Sequence, residues 1–108
     1  MKSKRSKATD IKPSVKKKVI ERDHGICIVC GSNHGMPNAH VIPRSAGGLG
    51  VEENIATLCI HCHHAYDNGG ERELFGAIIR KYMKSKYPDW NESSLVYNKF
   101  SWLEGGYI

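Results

Sequence analysis

Apolar residues recur at helical spacing in two segments of the chain. The first segment covers positions 13 to 24, where Pro13 suits a first helical turn and Gly25 follows the last turn. The second runs from 71 to about 86 and is stopped by Pro88. Both segments are predicted to be amphipathic helices. Their apolar stripes are Val15, Val19 and Ile20 in the first, and Leu74, Phe75, Ile78, Ile79, Tyr82 and Met83 in the second.

The apolar runs between these helices are short and rich in β-branched residues, which favours strands over helices. "ICIVCGSNHG" (26–35) is predicted to be a short strand that carries a cysteine knuckle. "NAHVIPRS" (38–45) and "IATLCIHC" (55–62) are predicted to be a second and a third extended piece, separated by the glycine-rich loop "AGGLGVEEN". A further helix is expected to start at Cys62 or His63 and to be interrupted at Gly69.

With 108 residues the chain is expected to form one small domain with a modest core. The net charge is +5, and its excess is concentrated in residues 1–24, which carry nine Lys and Arg against three acidic residues. Such a distribution favours contact with a phosphate backbone, although a solvated tail would explain the first lysines almost as well. We therefore expect a flexible basic arm over 1–12 and a basic first helix, with Lys16, Lys17 and Arg22 as nucleic-acid contacts.

Nothing in the sequence predicts a membrane span or a secretory signal. No run of about 18 apolar residues is present, and no apolar stretch follows the charged start "MKSKRSKATDIKP". The expected location is the cytoplasm, where thiols stay reduced and paired cysteines favour a metal over a disulfide.

Two CxxC pairs, Cys27/Cys30 and Cys59/Cys62, are separated by 28 residues. Each tight turn presents two thiolates, so the two pairs together suit one tetrahedral zinc ion. Two disulfides, or cysteines that are simply buried, are the alternatives, and His61 in place of one cysteine is a rival ligand set. Four thiolates close the coordination sphere, so the ion is expected to hold the fold rather than to react. It would also bring the segment around His40 close to "HCHHAYD".

Three segments taken together, "VIERDHGICIVCG", "AHVIPRSAGG" and "EENIATLCIHCHH", resemble the HNH endonucleases of the zinc-knuckle type. The resemblance covers residues 15 to about 68. It implies an α+β fold: a small ββα-metal core with flanking helices, stapled by the four-cysteine zinc site. The family places its first histidine on one strand, its asparagine at the start of the next strand, and its last histidine on the helix.

By this resemblance His40 is the general base, which takes a proton from the attacking water. Asn54 corresponds to the asparagine that orients the loop and the first histidine, and His63 to a ligand of the catalytic divalent metal (Mg, Mn, Ni or Zn). Arg44 suits a phosphate oxygen because its planar fork matches phosphate geometry. Products with a 5′-phosphate and a 3′-hydroxyl, and a kinship with phage-encoded or mobile-element proteins, are further implications of the family.

Position 39 departs from the family pattern. The residue before the general base is usually Asp, Glu or His and binds the metal, whereas Ala39 offers no ligand atom. Asp67, one helical turn beyond His63, would replace it if both side chains bound one ion. Alternatively, water and DNA phosphate complete the shell around His63, or the metal site is lost and the domain binds DNA without cutting it.

The sequence thus predicts a metal-dependent endonuclease that hydrolyses phosphodiester bonds in DNA. The expected organisation is the arm 1–12, an HNH domain with zinc knuckles at 13–70, and a helical extension at 71–108 that packs on the core. One rival is a zinc-stabilised DNA-binding or adaptor module with a degenerate site. Another is a zinc-ribbon interaction domain whose arm meets RNA or an acidic protein. The oligomeric state is left open.

Overall fold

The computed structural model describes residues 3–97, which form an α+β fold, as predicted. A two-stranded antiparallel sheet is surrounded by helices. Short 3₁₀ turns at Arg44–Ala46, Glu52–Asn54 and Glu92–Leu95 connect the regular elements. In chain order these elements are α1 (Lys4–Thr9), α2 (Pro13–Asp23), β1 (Met36–His40), β2 (Ile55–Leu58), α3 (Ile60–Asp67) and α4 (Arg72–Lys86).

The hairpin β1–β2 fixes which side chains reach the core. Ala39 lies opposite Ala56 and His40 opposite Ile55. Successive strand residues face opposite sides, so Ala39 is fully buried in the apolar core whereas His40 points away from it. Position 39 is therefore a core position in this chain. A polar side chain at this position could reach a metal ion only if it pointed out of the core. The core that surrounds Ala39 consists of Cys27, Val41, Ala56, Leu58, Cys59, Cys62, Tyr66, Ile79 and Met83.

Both predicted amphipathic helices are present, within a residue of their expected bounds. His24 and Gly25 end α2 in the left-handed conformation, with φ of 56° and 70°. The predicted apolar stripes are wider than the buried faces, because Ile20, Leu74 and Ile78 stay exposed while Val19, Ile79 and Met83 are buried. A domain of this size has too few layers to cover both edges of each stripe.

The first cysteine knuckle differs from its prediction. Residues 27–30 form a tight turn rather than a strand, since the Gly31 N–H donates to the Cys27 carbonyl at 2.9 Å. Helix α3 begins at Ile60, two residues before the earlier of its predicted starts, with Cys59 as its N-cap. Cys62 and His63 therefore both lie in the first turn of this helix.

The segment predicted to be a flexible arm, residues 1–12, contains a short helix in its described part. Lys4–Thr9 are helical, and Thr9 is only 4% exposed. The Gly50 N–H donates to the Ala8 carbonyl at 2.9 Å, and a Cβ at Gly50 would clash with the Asp10 carbonyl oxygen. This close approach of two backbones needs a glycine at position 50. The glycine-rich loop after β1 thus docks the N-terminal segment.

The described residues after α4 contact the same loop through backbone hydrogen bonds. The Leu49 N–H donates to the Leu95 carbonyl at 2.8 Å, and the Tyr97 N–H donates to the Gly47 carbonyl at 2.7 Å. Trp90 donates its indole N–H to the Glu53 carbonyl. The rest of the extension predicted to pack on the core, residues 98–108, lies outside the described residues.

Arg22 is a buried structural residue, which corrects its prediction as a nucleic-acid contact. Its side chain is 9% exposed and forms a two-pronged ion pair with Asp23. It also donates to the carbonyls of Glu52 and Ile55 and to the Tyr87 hydroxyl. Since the guanidinium is enclosed by these partners, it has no open face for a phosphate.

Asp23 joins α2, β2 and α4 through the same network. Besides Arg22, its carboxylate accepts hydrogen bonds from the Thr57 hydroxyl at 2.6 Å and from the Tyr82 hydroxyl. Burial by itself would raise the pKa of Asp23, but the hydrogen bonds from Arg22, Thr57 and Tyr82 outweigh it and hold the pKa below its usual value. The charged form of Asp23 is therefore the form that stabilises the fold.

Asp23→Asn is expected to lower the free energy of unfolding by about 3 kcal/mol, because it leaves the Arg22 charge buried without its counter-ion. Urea unfolding at pH 7 measures this effect. A depressed folded-state pKa stabilises above the unfolded pKa of about 4, and the contribution is lost as the pH falls through the folded value. The difference in the free energy of unfolding between wild type and Asp23→Asn should therefore become smaller at acid pH. Asp89→Asn, at an exposed position, is the control; equal urea midpoints for Asp23→Asn and wild type would contradict the prediction.

Candidate active site

One open cavity of about 850 Å³ is lined by five of the eight predicted site residues outside the cysteine cluster. Strand β1, the loop after it, and helices α2, α3 and α4 all contribute side chains to its wall. Basic groups from three of these elements surround the two histidines, which makes the cavity suitable for an anion. Its lining includes Asp10, Lys16, Asn38, His40, Arg44, Ser45, His63, Asp67 and Arg72.

His40 is held by the backbone of the N-terminal segment. Its Nε2 lies 2.8 Å from the Thr9 carbonyl oxygen. A carbonyl can only accept, so Nε2 carries the proton and Nδ1 keeps the lone pair. Burial lowers the pKa of His40, and the nearby Arg44 charge lowers it further against the opposing effect of the Thr9 carbonyl. The imidazole is thus neutral near pH 7 and able to take up a proton.

Asn54 is fully buried and ties down the loop that follows His40. Its Oδ1 accepts from the Ile42 N–H at 2.9 Å, and its Nδ2 donates to the Leu49 carbonyl at 2.8 Å. The Asn54 carbonyl also accepts from the Val41 N–H at 2.8 Å. These bonds hold both ends of the loop that carries Arg44. The contacts of the Asn54 amide are with this loop, and the imidazole of His40 is held by Thr9 instead.

His63 and Asp67 lie one turn apart on the same face of α3. The His63 Nε2 is 2.9 Å from Asp67 Oδ2, and the two side chains are 30% and 43% exposed. An imidazole and a carboxylate that already meet at a cavity wall fit two positions in the shell of a divalent metal. Since Ala39 is turned into the core, the strand contributes no ligand atom at that position.

Arg44 and Lys16 bring positive charge to the cavity. The Arg44 side chain is 53% exposed and forms an ion pair with Asp10. Lys16 is exposed and lines the cavity, whereas Lys17, also exposed on α2, is not among the lining residues.

The four cysteines lie close enough together to bind one metal ion. Their Sγ atoms all lie within 4.8 Å of one another, with Cys30 and Cys59 3.6 Å apart. Zinc–sulfur bonds of about 2.3 Å in a tetrahedron require sulfur atoms about 3.8 Å apart, which matches this arrangement. No disulfide joins them. His61 is exposed and lies outside this group, so the four thiols are the set that fits.

Among the contributors to the site that the sequence did not indicate are Asn38, Arg72 and the Thr9 carbonyl. Asn38 precedes His40 by two residues, so strand alternation could have placed it on the same face. Arg72 stands at the start of α4, beyond the recognised motif. The Thr9 carbonyl has no sequence signal, because a backbone atom becomes a partner only through the fold.

Between Ser3 and Tyr97, no helix combines the length and the apolar character that crossing a bilayer requires.

Comparison with known proteins agrees with this geometry. The sequence profile described as HNH endonuclease matches residues 27–69. The type IV methyl-directed restriction enzyme EcoKMcrA of Escherichia coli K12 is 38% identical over an alignment of 60 positions, and the match covers 47% of this chain and 22% of that protein. Anaredoxin of Nostoc sp. PCC 7120 is 41% identical over 44 residues, 40% of this chain and 58% of that protein. This chain therefore spans only part of either relative, and within it residues 27–69 match the HNH endonuclease family.

Proposed function

We propose that this protein is a metal-dependent endonuclease that hydrolyses phosphodiester bonds in DNA. The observation that supports the proposal is that His40, the His63–Asp67 pair and the Arg44 guanidinium all line the same open cavity. The match of residues 27–69 to the HNH family and the similarity of the chain to a restriction enzyme support DNA as the substrate. The basic groups at the cavity wall suit a phosphate backbone.

In this mechanism His40 acts as the general base. The Thr9 carbonyl fixes the Nε2–H tautomer, so Nδ1 is the atom that takes the proton from the attacking water. The lowered pKa of His40 keeps the base unprotonated at neutral pH. Asn54 holds the loop in the position that lets Arg44 reach a phosphate oxygen. Lys16 and Lys17 on α2 bind neighbouring phosphates.

His63 and Asp67 are the proposed ligands of the catalytic metal. The contact of 2.9 Å between them places an imidazole and a carboxylate together at the cavity wall, which is the donor set that Mg²⁺, Mn²⁺, Ni²⁺ or Zn²⁺ would meet there. When bound, a divalent ion supplies Lewis acidity toward the phosphate and stabilises the leaving oxygen. The four cysteines would hold a separate structural zinc, which would join the first knuckle to the start of α3.

A binding module that does not cut DNA is the alternative. Ala39 favours it, because this core position supplies no ligand where the family usually has one. The two functions share the zinc site and the basic surface, so only cleavage separates them.

Supercoiled plasmid incubated with the purified full chain tests the proposal. Mg²⁺, Mn²⁺, Ni²⁺ and a chelator are compared, and the expected result is metal-dependent conversion to nicked or linear DNA. Retention of plasmid on the protein with no conversion under any metal would favour the binding module.

Asp67→Ala is expected to raise the metal concentration for half-maximal cleavage by at least about tenfold, because it removes one proposed ligand. The measurement is a metal titration of the plasmid assay, with zinc content determined in parallel and expected to stay unchanged. Asp89→Ala, the same chemical change at an exposed position outside the cavity, is the control. If Asp67→Ala and Asp89→Ala show the same metal dependence, water and phosphate rather than Asp67 complete the shell.

A further inference from the structure

Arg72 is an exposed guanidinium fixed on the wall of the active-site cavity. Its Cζ lies 4.4 Å from the centroid of the Tyr66 ring, and its Nη2 donates to the Val41 carbonyl at 3.3 Å. Tyr66 is itself 1% exposed and donates its hydroxyl hydrogen to the same carbonyl at 2.8 Å. One face of the guanidinium is therefore anchored to the core beside the residue that follows His40.

Comparison with Arg22 shows that Arg72 is not simply another structural arginine. Arg22 is 9% exposed and is enclosed by a carboxylate, two carbonyls and a hydroxyl. Arg72 is 41% exposed, and its Nη1 is 3.8 Å from Asp67 Oδ1, which is beyond hydrogen-bond distance. A guanidinium carries five N–H donors, so within the described residues these contacts leave donors for an anion in the cavity.

We propose that Arg72 binds the scissile phosphate and stabilises the negative charge that develops on it, an inference that rests on the proposed nuclease function. Its planar fork matches two phosphate oxygens. Stacking on Tyr66 has already restricted the side chain, so binding costs little further rotamer freedom. Because Arg72 shares the cavity with His40 and His63, a phosphate held by it lies beside the proposed base and the proposed metal ligands.

A purely positioning role makes a different prediction. If Arg72 only oriented the Asp67 carboxylate, its replacement would weaken metal binding, and excess metal would restore the full rate. If Arg72 binds the phosphate, the rate stays low at saturating metal because transition-state stabilisation itself is lost.

The test uses the full chain, supercoiled plasmid and a Mn²⁺ titration. Arg72→Lys and Arg72→Gln are compared with wild type, and Arg80→Lys on the same helix, whose partner is Glu92, is the matched control. Arg72→Lys keeps a charge near Tyr66 but loses the fork, and should lower the rate at saturating Mn²⁺ by about tenfold or more. Arg72→Gln should lower it by about a hundredfold. Half-saturating Mn²⁺, zinc content and thermal midpoint of Arg72→Lys should remain at the wild-type values.

Two results would overturn the assignment while leaving the nuclease function intact. In one, Arg72→Lys cuts as fast as Arg80→Lys. In the other, high Mn²⁺ restores the full rate of both Arg72 variants, which would make Arg72 a positioning residue for Asp67. Absence of cleavage by wild type under every metal would overturn the proposed function together with this inference.

Discussion

His40→Gln is expected to reduce plasmid cleavage by about 10²–10⁴-fold, because general-base catalysis contributes that much in typical enzymes. Glutamine can still donate to the Thr9 carbonyl but has no basic nitrogen to take a proton from water. Since burial lowers the pKa of His40, the wild-type rate should rise with pH along a limb below pH 6.5 and then level off. The variant should lack that limb.

The measurement is the single-turnover rate at saturating Mn²⁺ between pH 5 and pH 8. His34→Ala is the control, since His34 is exposed and does not line the cavity. Other titratable or charged groups face His40 from the surrounding elements: Asp10 before α2, Lys16 on α2, Arg44 in the loop, His63 and Asp67 on α3, and Arg72 on α4. The single-turnover rate of His40→Gln therefore has to be compared with that of wild type at each pH. A variant that cuts at the wild-type rate with the same pH profile would remove His40 from the mechanism.

Loss of the zinc site is expected to unfold the domain. Structural zinc in small domains contributes about 10–16 kcal/mol of apparent binding free energy at neutral pH, which exceeds the stability of a typical domain. Cys59→Ser removes one of the four thiols and should yield a chain with less bound zinc and no cooperative thermal transition. Zinc content by atomic emission and circular dichroism against temperature measure the two effects.

His61→Ala distinguishes between the two ligand sets that the sequence allowed. His61 is exposed and outside the four-sulfur group, so this variant should keep one zinc per chain and the wild-type thermal midpoint. If His61→Ala lost its zinc while Cys59→Ser kept it, the assignment of four cysteine ligands would be wrong.

Residues close in sequence determined much of what could be predicted. The CxxC spacing, the 3.6-residue periodicity of α2 and α4, and the Pro and Gly residues that bound them act over one or two helical turns. The predictions of two amphipathic helices and of a four-cysteine cluster are accordingly confirmed. The predicted strand at Cys27 was wrong, because residues 27–30 form a turn closed by a hydrogen bond from the Gly31 N–H to the Cys27 carbonyl.

The candidate site also combines residues that the sequence indicated with contacts that only the fold provides. Sequence order singled out His40, Asn54, His63 and Asp67 as candidates, and their catalytic roles remain proposals. Their surroundings came from contacts between distant residues. The Thr9 carbonyl reaches His40 across 31 positions, and Arg72 reaches the Val41 carbonyl across another 31. No local pattern reports such pairs.

Arg22 and Arg44 show most directly what the sequence could not predict. Both Arg22 and Arg44 read as phosphate contacts, yet Arg22 is sealed in by Asp23 and Tyr87 while Arg44 opens onto the cavity. The sequence by itself determined the helices, the cysteine cluster and the candidate chemistry, because spacing along the chain carries that information. Only the tertiary structure decided which charges are buried, which carbonyl holds His40, and that Ala39 belongs to the core, because burial and long-range hydrogen bonds arise where separate segments meet.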